Sequence, residues 1–373
     1  MKNLSKLVFV LLTLPLFMFA GNGNPNPDRN TIKVALLLDT SNSMDGLINQ
    51  AKSQLWDIVN ELSYARCENE HPNLQIALYE YGNDNLSARE GYIRQVTGFT
   101  SDLDVLSEKL FSLTTNGGSE FCGEVILSSL KQLEWGNNKN DLKLIFIAGN
   151  EPFTQGKINY KDATAQANEQ DVVVNTIFCG NYQDGIYSKW QDGAYLTHGD
   201  YMAIDHNEAI VHIASPYDDV IIQLNSQLND TYIYYGAQGY SKMQLQAVQD
   251  KNAEALDEEV IVKRAVSKSS RIYKNSSWDL VDASDDKDFR YDKLDKKSLP
   301  AELQSKNTEE IRKYVTAKKA KRAEIQKRIN DLNKLRDAYV TKKKQENNTA
   351  SNGLDNAMIK AIKKQAKTKN YIW

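Results

Sequence analysis

Short apolar segments of strand length alternate with helical segments over residues 31–228, and this alternation constrains the fold more than any other feature. The first segment, residues 31–38 (TIKVALLL), is almost continuously apolar, which is typical of a strand buried on both faces. Further strands are predicted at residues 74–81, 92–96, 142–148, 172–178 and 202–204, with 92–96 as an edge partner of 74–81. Helices are predicted at residues 47–62, 103–113, 123–133, 160–168 and 218–228. We therefore predict an α/β fold, a doubly wound and mostly parallel six-stranded sheet with helices on both faces, followed by a helical C-terminal region.

The first predicted strand runs directly into a polar loop, Asp39-Thr40-Ser41-Asn42-Ser43. Ligand sites in doubly wound sheets lie beyond the carboxyl ends of the strands, which is where this loop falls. One carboxylate and two hydroxyls at alternate positions can turn toward one point, and Mg²⁺, Mn²⁺ or Ca²⁺ prefers such oxygen ligands. We predict a divalent-cation site at Asp39, Ser41 and Ser43. The alternative is that Asp39 and Ser43 only cap the helix that follows.

This chain resembles the von Willebrand factor type A family. The resemblance rests on the motif, the strand before it, the helix after it and the order of the later strands. The family's metal-ion-dependent adhesion site begins with Asp-x-Ser-x-Ser after the first strand, matched here by Asp39, Ser41 and Ser43. The resemblance covers residues 31 to about 229. It implies that a threonine from a second loop and an aspartate after the strand at 142–148 complete the site.

This chain departs from the family's pattern at both of those positions. In the second loop Ser119 falls nearest the family's threonine, with Glu120 and Thr115 as alternatives. After the strand at 142–148 the family usually has Thr-Asp-Gly, whereas this chain reads Ala-Gly-Asn-Glu from residue 148. We expect Glu151 or Asn150 to supply an oxygen ligand. The alternative is that Asn150 forms the turn and Glu151 faces water.

The charge of the chain is divided unevenly along its length. Residues 21–229 contain 28 acidic and 13 basic residues, whereas residues 230–373 contain 21 acidic and 31 basic residues. Such asymmetry predicts two differently constructed parts. We divide the chain into a von Willebrand factor type A-like domain at 31–229, a linker with short helices at 230–307, and a basic helical region at 308–373.

An apolar stripe runs along the helix predicted at residues 308–346. Its members recur at intervals of three and four residues and predict a coiled-coil or helix-hairpin seam: Ile325, Ile329, Leu332, Leu335 and Tyr339. We interpret the basic residues around it as a solvated helical face, with contact to an anionic envelope surface or partner as the alternative. Nucleic acid is not an expected partner, because the chain begins with an export signal.

That export signal is predicted at residues 1–20. Lys2 and Lys6 precede an apolar run at residues 7–19, which ends in Ala20 and Gly21. A positive start, a short apolar stretch and a small-residue end are typical of a secretory signal peptide. We expect export to the periplasm, the cell surface or the medium.

Three cysteines, Cys67, Cys122 and Cys179, remain in this predicted exported chain. A disulfide between Cys122 and Cys179 would pin the second loop to the rim of the sheet, and buried free thiols are the alternative.

The sequence therefore predicts a metal-dependent protein-binding or adhesion module that is not an enzyme. An acidic side chain of a protein partner would complete the coordination of the cation. The alternative function is a Mg²⁺-dependent hydrolase that uses Asp39.

Overall fold

The computed structural model of the protein describes residues 29–205, 207, 213–346 and 354–373. Its strands are β1 (Thr31–Asp39), β2 (Arg66–Cys67), β3 (Asn73–Tyr81), β4 (Ile93–Thr100), β5 (Leu142–Gly149), β6 (Val173–Cys179), β7 (Tyr201–Ile204) and β8 (Tyr371–Ile372). Six of them form the central sheet in the order β4-β3-β1-β5-β6-β7, parallel except for β4, which runs antiparallel to β3. The predicted doubly wound sheet and its six strands are confirmed.

Helices cover both faces of the sheet, as the alternating pattern predicts. They are α1 (Asp45–Ser63), α2 (Leu103–Phe111), α3 (Cys122–Gln132), α4 (Tyr160–Glu169), α5 (Tyr182–Tyr187), α6 (Trp190–Tyr195), α7 (Asp218–Asn229), α8 (Gly239–Leu256), α9 (Glu258–Ser269), α10 (Leu280–Ala283), α11 (Ala301–Gln304), α12 (Thr308–Glu346) and α13 (Leu354–Ala366). The helices α3, α4 and α6 bury their apolar sides on one face. On the other face α1, α2 and α7 are joined by C-terminal helices.

The C-terminal helices share the apolar core of the sheet. Side chains of α13, among them Met358 and Ile362, are buried in the same cluster as Leu36 and Leu38 of β1. The last residues return to the edge of the domain, where β8 pairs with β2 in a small antiparallel sheet. The division at residue 229 therefore marks a change in the sequence, but the apolar core continues across it. The side chains of Leu36 and Leu38 need α13 to shield them from water.

The helix α12 packs against α7, α9 and α10 of its own chain, with a seam that differs from the predicted stripe. Ile325 and Ile329 are buried as expected, but Leu335 is 52% exposed. Arg336 takes the inward place, and its Nε donates to Asp218 Oδ1 at 2.8 Å. The prediction that Leu335 belongs to the seam is wrong, because a buried ion pair occupies the inward position of that turn.

A buried network of charged groups joins the C-terminal helices to the sheet domain. Arg264 of α9 is fully buried, and its guanidinium lies 2.8 Å from Asp104 of α2 and 2.6 Å from Asp250 of α8. Lys268 adds a second cation 2.8 Å from Asp250. Pairs of this kind are costly to break, because removing one partner leaves the other buried and uncompensated.

The predicted bridge between Cys122 and Cys179 does not form. All three cysteines are buried free thiols. Cys122 packs on the α3 side of the sheet, whereas Cys179 packs on the α1 side, so the sheet itself separates their side chains.

The predicted signal peptide lies outside the described residues. Within the described ranges, no helix combines the length and the apolar character needed to cross a membrane.

Candidate metal centre

Asp39 is the last residue of β1 and is fully buried at the carboxyl edge of the sheet. The parallel register sets Asp39 beside Tyr81 of β3 and Leu38 beside Ala148 of β5, so the loops after all three strands meet there. Asp39 Oδ1 accepts a hydrogen bond from the backbone N–H of Ser41 at 2.8 Å. The second oxygen, Oδ2, is buried with no donor among the described residues.

The loop before α3 brings a second carboxyl group to Asp39, that of Glu120. Glu120 is 4% exposed, and the two carboxyl groups are within hydrogen-bonding reach of each other. The Ser41 side chain also lies within reach of both. Glu120 Oε2 is buried and, like Asp39 Oδ2, lacks a partner in the described part of the chain. Two carboxyl groups therefore share one buried space.

Two glycines make room for the carboxyl pair. A methyl group on Gly82 would lie 2.7 Å from Glu120 Cγ and 2.8 Å from Asp39 Oδ1. On Gly149 it would lie 2.5 Å from Tyr81 Oη and 3.1 Å from Asp39 Oδ2. Any side chain at either position would displace a carboxyl group or its neighbour, so the cluster depends on glycine for space.

The two predicted serines stand at the mouth of this space, together with Asn150. The Oγ atoms of Ser41 and Ser43 are 3.4 Å apart. Asn150 Nδ2 donates to Ser43 Oγ at 3.1 Å, which links the loop after β5 to the loop after β1. Asn150 Oδ1 is buried with no donor within the described ranges. Asn150 therefore contacts the cluster, and its role as a metal ligand stays a prediction.

The other predicted ligands lie at the edge of the cluster or outside it. The Thr115 hydroxyl donates to Asp45 at the start of α1, away from Asp39. Ser119 is half-buried and forms no hydrogen bond with the described residues. The Glu151 carboxylate is exposed and accepts from Gln155 Nε2 at 3.0 Å, while its backbone lies close to the Glu120 carboxyl group.

The electrostatics of the cluster disfavour two bare negative charges. Burial, followed by the hydrogen bond to and the charge of Glu120, raises the pKa of Asp39 well above its ordinary value. Burial also raises the pKa of Glu120. Burial and the nearby Cys122 thiol, Asp39 and Glu120 raise the pKa of Tyr81. A cation bound between the carboxylates would offset the cost of burying their negative charges, which is the main cause of these shifts.

The donor set fits a hard divalent cation. Three buried oxygens without donors, Asp39 Oδ2, Glu120 Oε2 and Asn150 Oδ1, surround the hydroxyls of Ser41 and Ser43. Carboxylate, amide and hydroxyl oxygens are the ligands that Mg²⁺, Mn²⁺ and Ca²⁺ take. In the described parts of the chain, no three His, Cys, Asp or Glu side chains converge, so the hydroxyls would have to complete any site here.

The residues that support the cluster were not identified from the sequence. Gln155 Oε1 accepts from the backbone N–H of Glu120 at 3.4 Å, and Trp190 Nε1 donates to the Glu151 carbonyl at 2.8 Å. Asn83 Nδ2 donates to the Thr114 carbonyl at 2.8 Å and fixes the second loop. In the sequence, the one sign of this crowding is a pair of glycines: Gly82, directly after β3, and Gly149, at the end of β5.

The sequence profile of the von Willebrand factor type A domain family matches residues 33–188, a range that includes most of β1, the Asp39 loop and Glu120. Residues 33–188 are a von Willebrand factor type A domain. Domains of this family are generally interaction modules rather than enzymes, and those with the adhesion-site motif bind divalent metals. No curated protein sequence matches this chain.

Solved structures with similarity to this von Willebrand factor type A domain include three of low sequence identity. The proximal thread matrix protein 1 of the mussel byssus is 11% identical over 47% of this chain and 42% of its own, with a TM-score of 0.35. The conserved hypothetical protein BatB from Bacteroides thetaiotaomicron is 16% identical over 47% of this chain and 90% of its own, with a TM-score of 0.36. The SpRpn10 von Willebrand factor type A domain is 14% identical over 48% of this chain and 99% of its own, with a TM-score of 0.36.

Proposed function

We propose that the protein is a metal-dependent protein-binding module, in which Asp39, Ser41, Ser43 and Glu120 hold a divalent cation such as Mg²⁺ or Mn²⁺. The observation that carries the proposal is the buried pair of carboxyl groups, Asp39 and Glu120, each with an oxygen that has no donor within the described ranges. The family's usual aspartate after β5 is absent, and Glu120 supplies the second negative charge from another loop.

The exposure of the cluster supports approach by a partner from one side. Asp39 and Glu120 form its buried floor, whereas Ser43 and the neighbouring Asn42 are exposed. A bound cation would supply an open coordination position on the exposed side, which suits a carboxylate of an acidic protein partner. Ser43 and Asn150 would orient the cation from the rim, and the buried carboxylates would hold it from below.

Capture from an envelope extract, with and without a chelator, tests this function. We expect capture of acidic proteins by the wild-type chain with Mg²⁺ or Mn²⁺, and loss of capture with chelator or in Asp39→Asn. Glu169→Gln, at an exposed position of α4, is the matched charge control and should behave as wild type. Equal capture by wild type and Asp39→Asn would show that the metal centre is not the binding site.

The identity of the cation is open to direct measurement. Calorimetric titrations with MgCl₂, MnCl₂, CaCl₂ and ZnCl₂ would rank the ions on the wild-type chain. Zinc belongs in the series because a structure of the mussel protein has zinc in its adhesion-site motif. We expect saturable binding of Mg²⁺ and Mn²⁺, because carboxylate and hydroxyl oxygens suit these ions.

We further propose that the protein is exported and that its basic C-terminal helices contact an anionic envelope surface. Lys2, Lys6 and the apolar run at residues 7–19 support export. Exposed lysines on α12, such as Lys321 and Lys334, support the surface contact. Cell fractionation with N-terminal sequencing of the mature chain tests export, and an uncleaved cytoplasmic chain would exclude it. Sedimentation with anionic vesicles tests the contact.

The contacts of Asp39 do not favour the alternative of a Mg²⁺-dependent hydrolase. Its carboxyl group contacts Ser41 and Glu120, which is an arrangement of ligands and not of a nucleophile beside a general base. Phosphatase turnover with Mg²⁺ that disappears in Asp39→Asn would reverse this preference.

A further inference from the structure

An open cleft of about 640 Å³ lies at the end of the sheet opposite Asp39. One wall is formed by residues 69–74, which lead into β3, and residues 101–103, which follow β4. The other wall belongs to the C-terminal segment after α9, at residues 271–272 and 274–277, with residues 282, 285 and 286 beyond them. Because β3 spans nine residues, the cleft is roughly 25 Å from the candidate metal centre.

Arg271 is a positively charged residue of this cleft that forms no ion pair within the described residues. It is half-buried, and its Nη2 donates only to backbone carbonyls, those of Ser63 at 2.7 Å and Ala65 at 3.5 Å. Burial and repulsion from Arg66 and Arg29 lower the pKa of Arg271 to about 10. Within the described ranges no carboxylate forms an ion pair with Arg271, so its charge calls for an anion from outside the chain.

The acidic side chains of the cleft do not pair with Arg271. Four carboxylates pair with other cations: Glu70 with Arg29 at 3.4 Å, Asp102 with Lys242 at 2.7 Å, Asp282 with Arg322 at 2.8 Å, and Asp285 with Lys319. Asp282 Oδ2 also accepts from the backbone N–H of Asn275 at 2.8 Å, and Asp286 accepts from the backbone N–H of Asp288 at 2.9 Å. Arg271 therefore keeps a positive charge that no described carboxylate of the cleft pairs with.

Asn275 adds a buried donor to the same wall. Its Oδ1 accepts from Trp278 Nε1 at 3.0 Å, which fixes the orientation of the amide. Its Nδ2 is buried with no acceptor in the described part of the chain, and the residue is 6% exposed. An orphaned buried donor next to an uncompensated guanidinium indicates a ligand rich in acceptor oxygens.

We propose that this cleft binds a phosphate group, free or as a phosphomonoester, through Arg271, Asn275 and the exposed ammonium of Lys274. A tetrahedral oxyanion has enough oxygens to accept from a guanidinium, an amide and an ammonium together, whereas a carboxylate has two. The planar guanidinium gives phosphate a two-bond contact. This site is independent of the metal centre, because it lies at the other end of the sheet.

Calorimetric titration of the full chain with inorganic phosphate and with glycerol phosphate, at constant ionic strength set with chloride, tests the proposal. We expect saturable binding of one equivalent, unchanged by chelator. Arg271→Gln should lower the affinity at least tenfold, because the amide replaces two charge-assisted hydrogen bonds by at most one uncharged bond. Lys131→Gln, at an exposed position of α3, should bind as wild type. Tighter binding of the ester than of phosphate would identify the ligand as a phosphomonoester.

A second variant guards against loss of the fold, since Arg271 also holds the carboxyl end of α1. Lys274 is exposed, so Lys274→Gln should fold normally and still weaken phosphate binding by severalfold. The proposal fails if wild type shows no saturable heat with either probe. It also fails if Lys274→Gln and a folded Arg271→Gln both bind with wild-type affinity, or if chloride alone reproduces the effect.

Discussion

Asp39 and Glu120 are packed side by side against Gly82, and a methyl group added there would lie 2.8 Å from Asp39 Oδ1 and 2.7 Å from Glu120 Cγ. The motif predicts one carboxylate, that of Asp39, and the sequence leaves the replacement for the family's second aspartate open between Glu151 and Asn150. The structure has the carboxyl group of Glu120, from the loop before α3, next to Asp39. Under our proposal the cation therefore has two acidic ligands.

Replacing Glu120 by Gln should stabilise the metal-free protein and abolish its response to metal. The amide can donate to an ionised Asp39, so the hydrogen bond no longer requires one of two buried carboxyl groups to stay protonated, a gain of about 1 kcal/mol. Urea unfolding in chelator and in excess Mg²⁺ measures both effects. Wild type should gain about 2.7 kcal/mol at an ion concentration one hundred times its dissociation constant.

The matched control for that experiment is Glu151→Gln. The Glu151 carboxylate is exposed and contacts Gln155, so its removal should leave the metal response intact. If Glu151→Gln loses the response and Glu120→Gln keeps it, the ligand is Glu151 and our assignment is wrong.

Asn150→Asp should tighten metal binding and destabilise the metal-free protein. The substitution removes the Nδ2 donor to Ser43 and adds a third carboxylate to a buried cluster. We expect about tenfold tighter Mg²⁺ binding, since carboxylate count helps to set cation affinity. Calorimetry and unfolding in chelator measure the two effects. Unchanged values for both would make Asn150 a turn residue only.

Gly149→Ala should disrupt the metal centre through steric overlap. The added methyl group would lie 2.5 Å from Tyr81 Oη and 3.1 Å from Asp39 Oδ2, and overpacking of this kind costs about 1–3 kcal/mol. Gly98→Ala is the control, because its methyl group meets only the flexible end of Gln95. Thermal melts with and without Mg²⁺ should show a lost response in the first variant alone.

Protonation of Asp250 should lower the free energy of unfolding of the protein in acid. Burial opposes ionisation of Asp250, but Lys268 and Arg264 outweigh it and hold its pKa well below its ordinary value. A carboxyl group with a lowered pKa in the folded state contributes its stability above about pH 4 and loses it as the pH falls further. Urea unfolding between pH 2.5 and 7 measures the effect.

In Asp250→Asn, the free energy of unfolding at pH 7 should fall by about 3–5 kcal/mol, because Arg264 and Lys268 lose a buried partner. The decline below pH 4 should also become shallower than in wild type. An unaltered slope would show that other carboxylates govern acid unfolding.

Removal of α13 should cost the domain its stable core. Met358 is 1% exposed and packs in the cluster that contains Leu36 and Leu38, so Met358→Ala should destabilise by about 2–5 kcal/mol. Lys360→Ala, at an exposed position of the same helix, should change the free energy of unfolding little.

A chain ended after residue 229 should expose the surface that α13 covers and aggregate. A soluble, cooperatively unfolding truncated chain would instead support the sequence's division at that residue.

The sequence by itself determined the sheet and the start of the metal centre. A strand buried on both faces must be apolar along its length, so β1, β3, β5 and β6 are visible as apolar runs. Asp39, Ser41 and Ser43 follow β1 directly, and a local loop can turn its own side chains toward one point without help from distant residues.

Only the tertiary structure decided which distant residues lie next to Asp39 and what covers the sheet. Glu120 was one of three alternatives in its loop, and its choice depends on Gly82 and Gln155, which no spacing relates to it. Leu335 and Arg336 fit the helical period almost equally well, but Asp218 of α7 draws Arg336 inward. Local periodicity gives the direction of a side chain on its own element, whereas the partner it meets depends on how elements pack, and that information is spread across the chain.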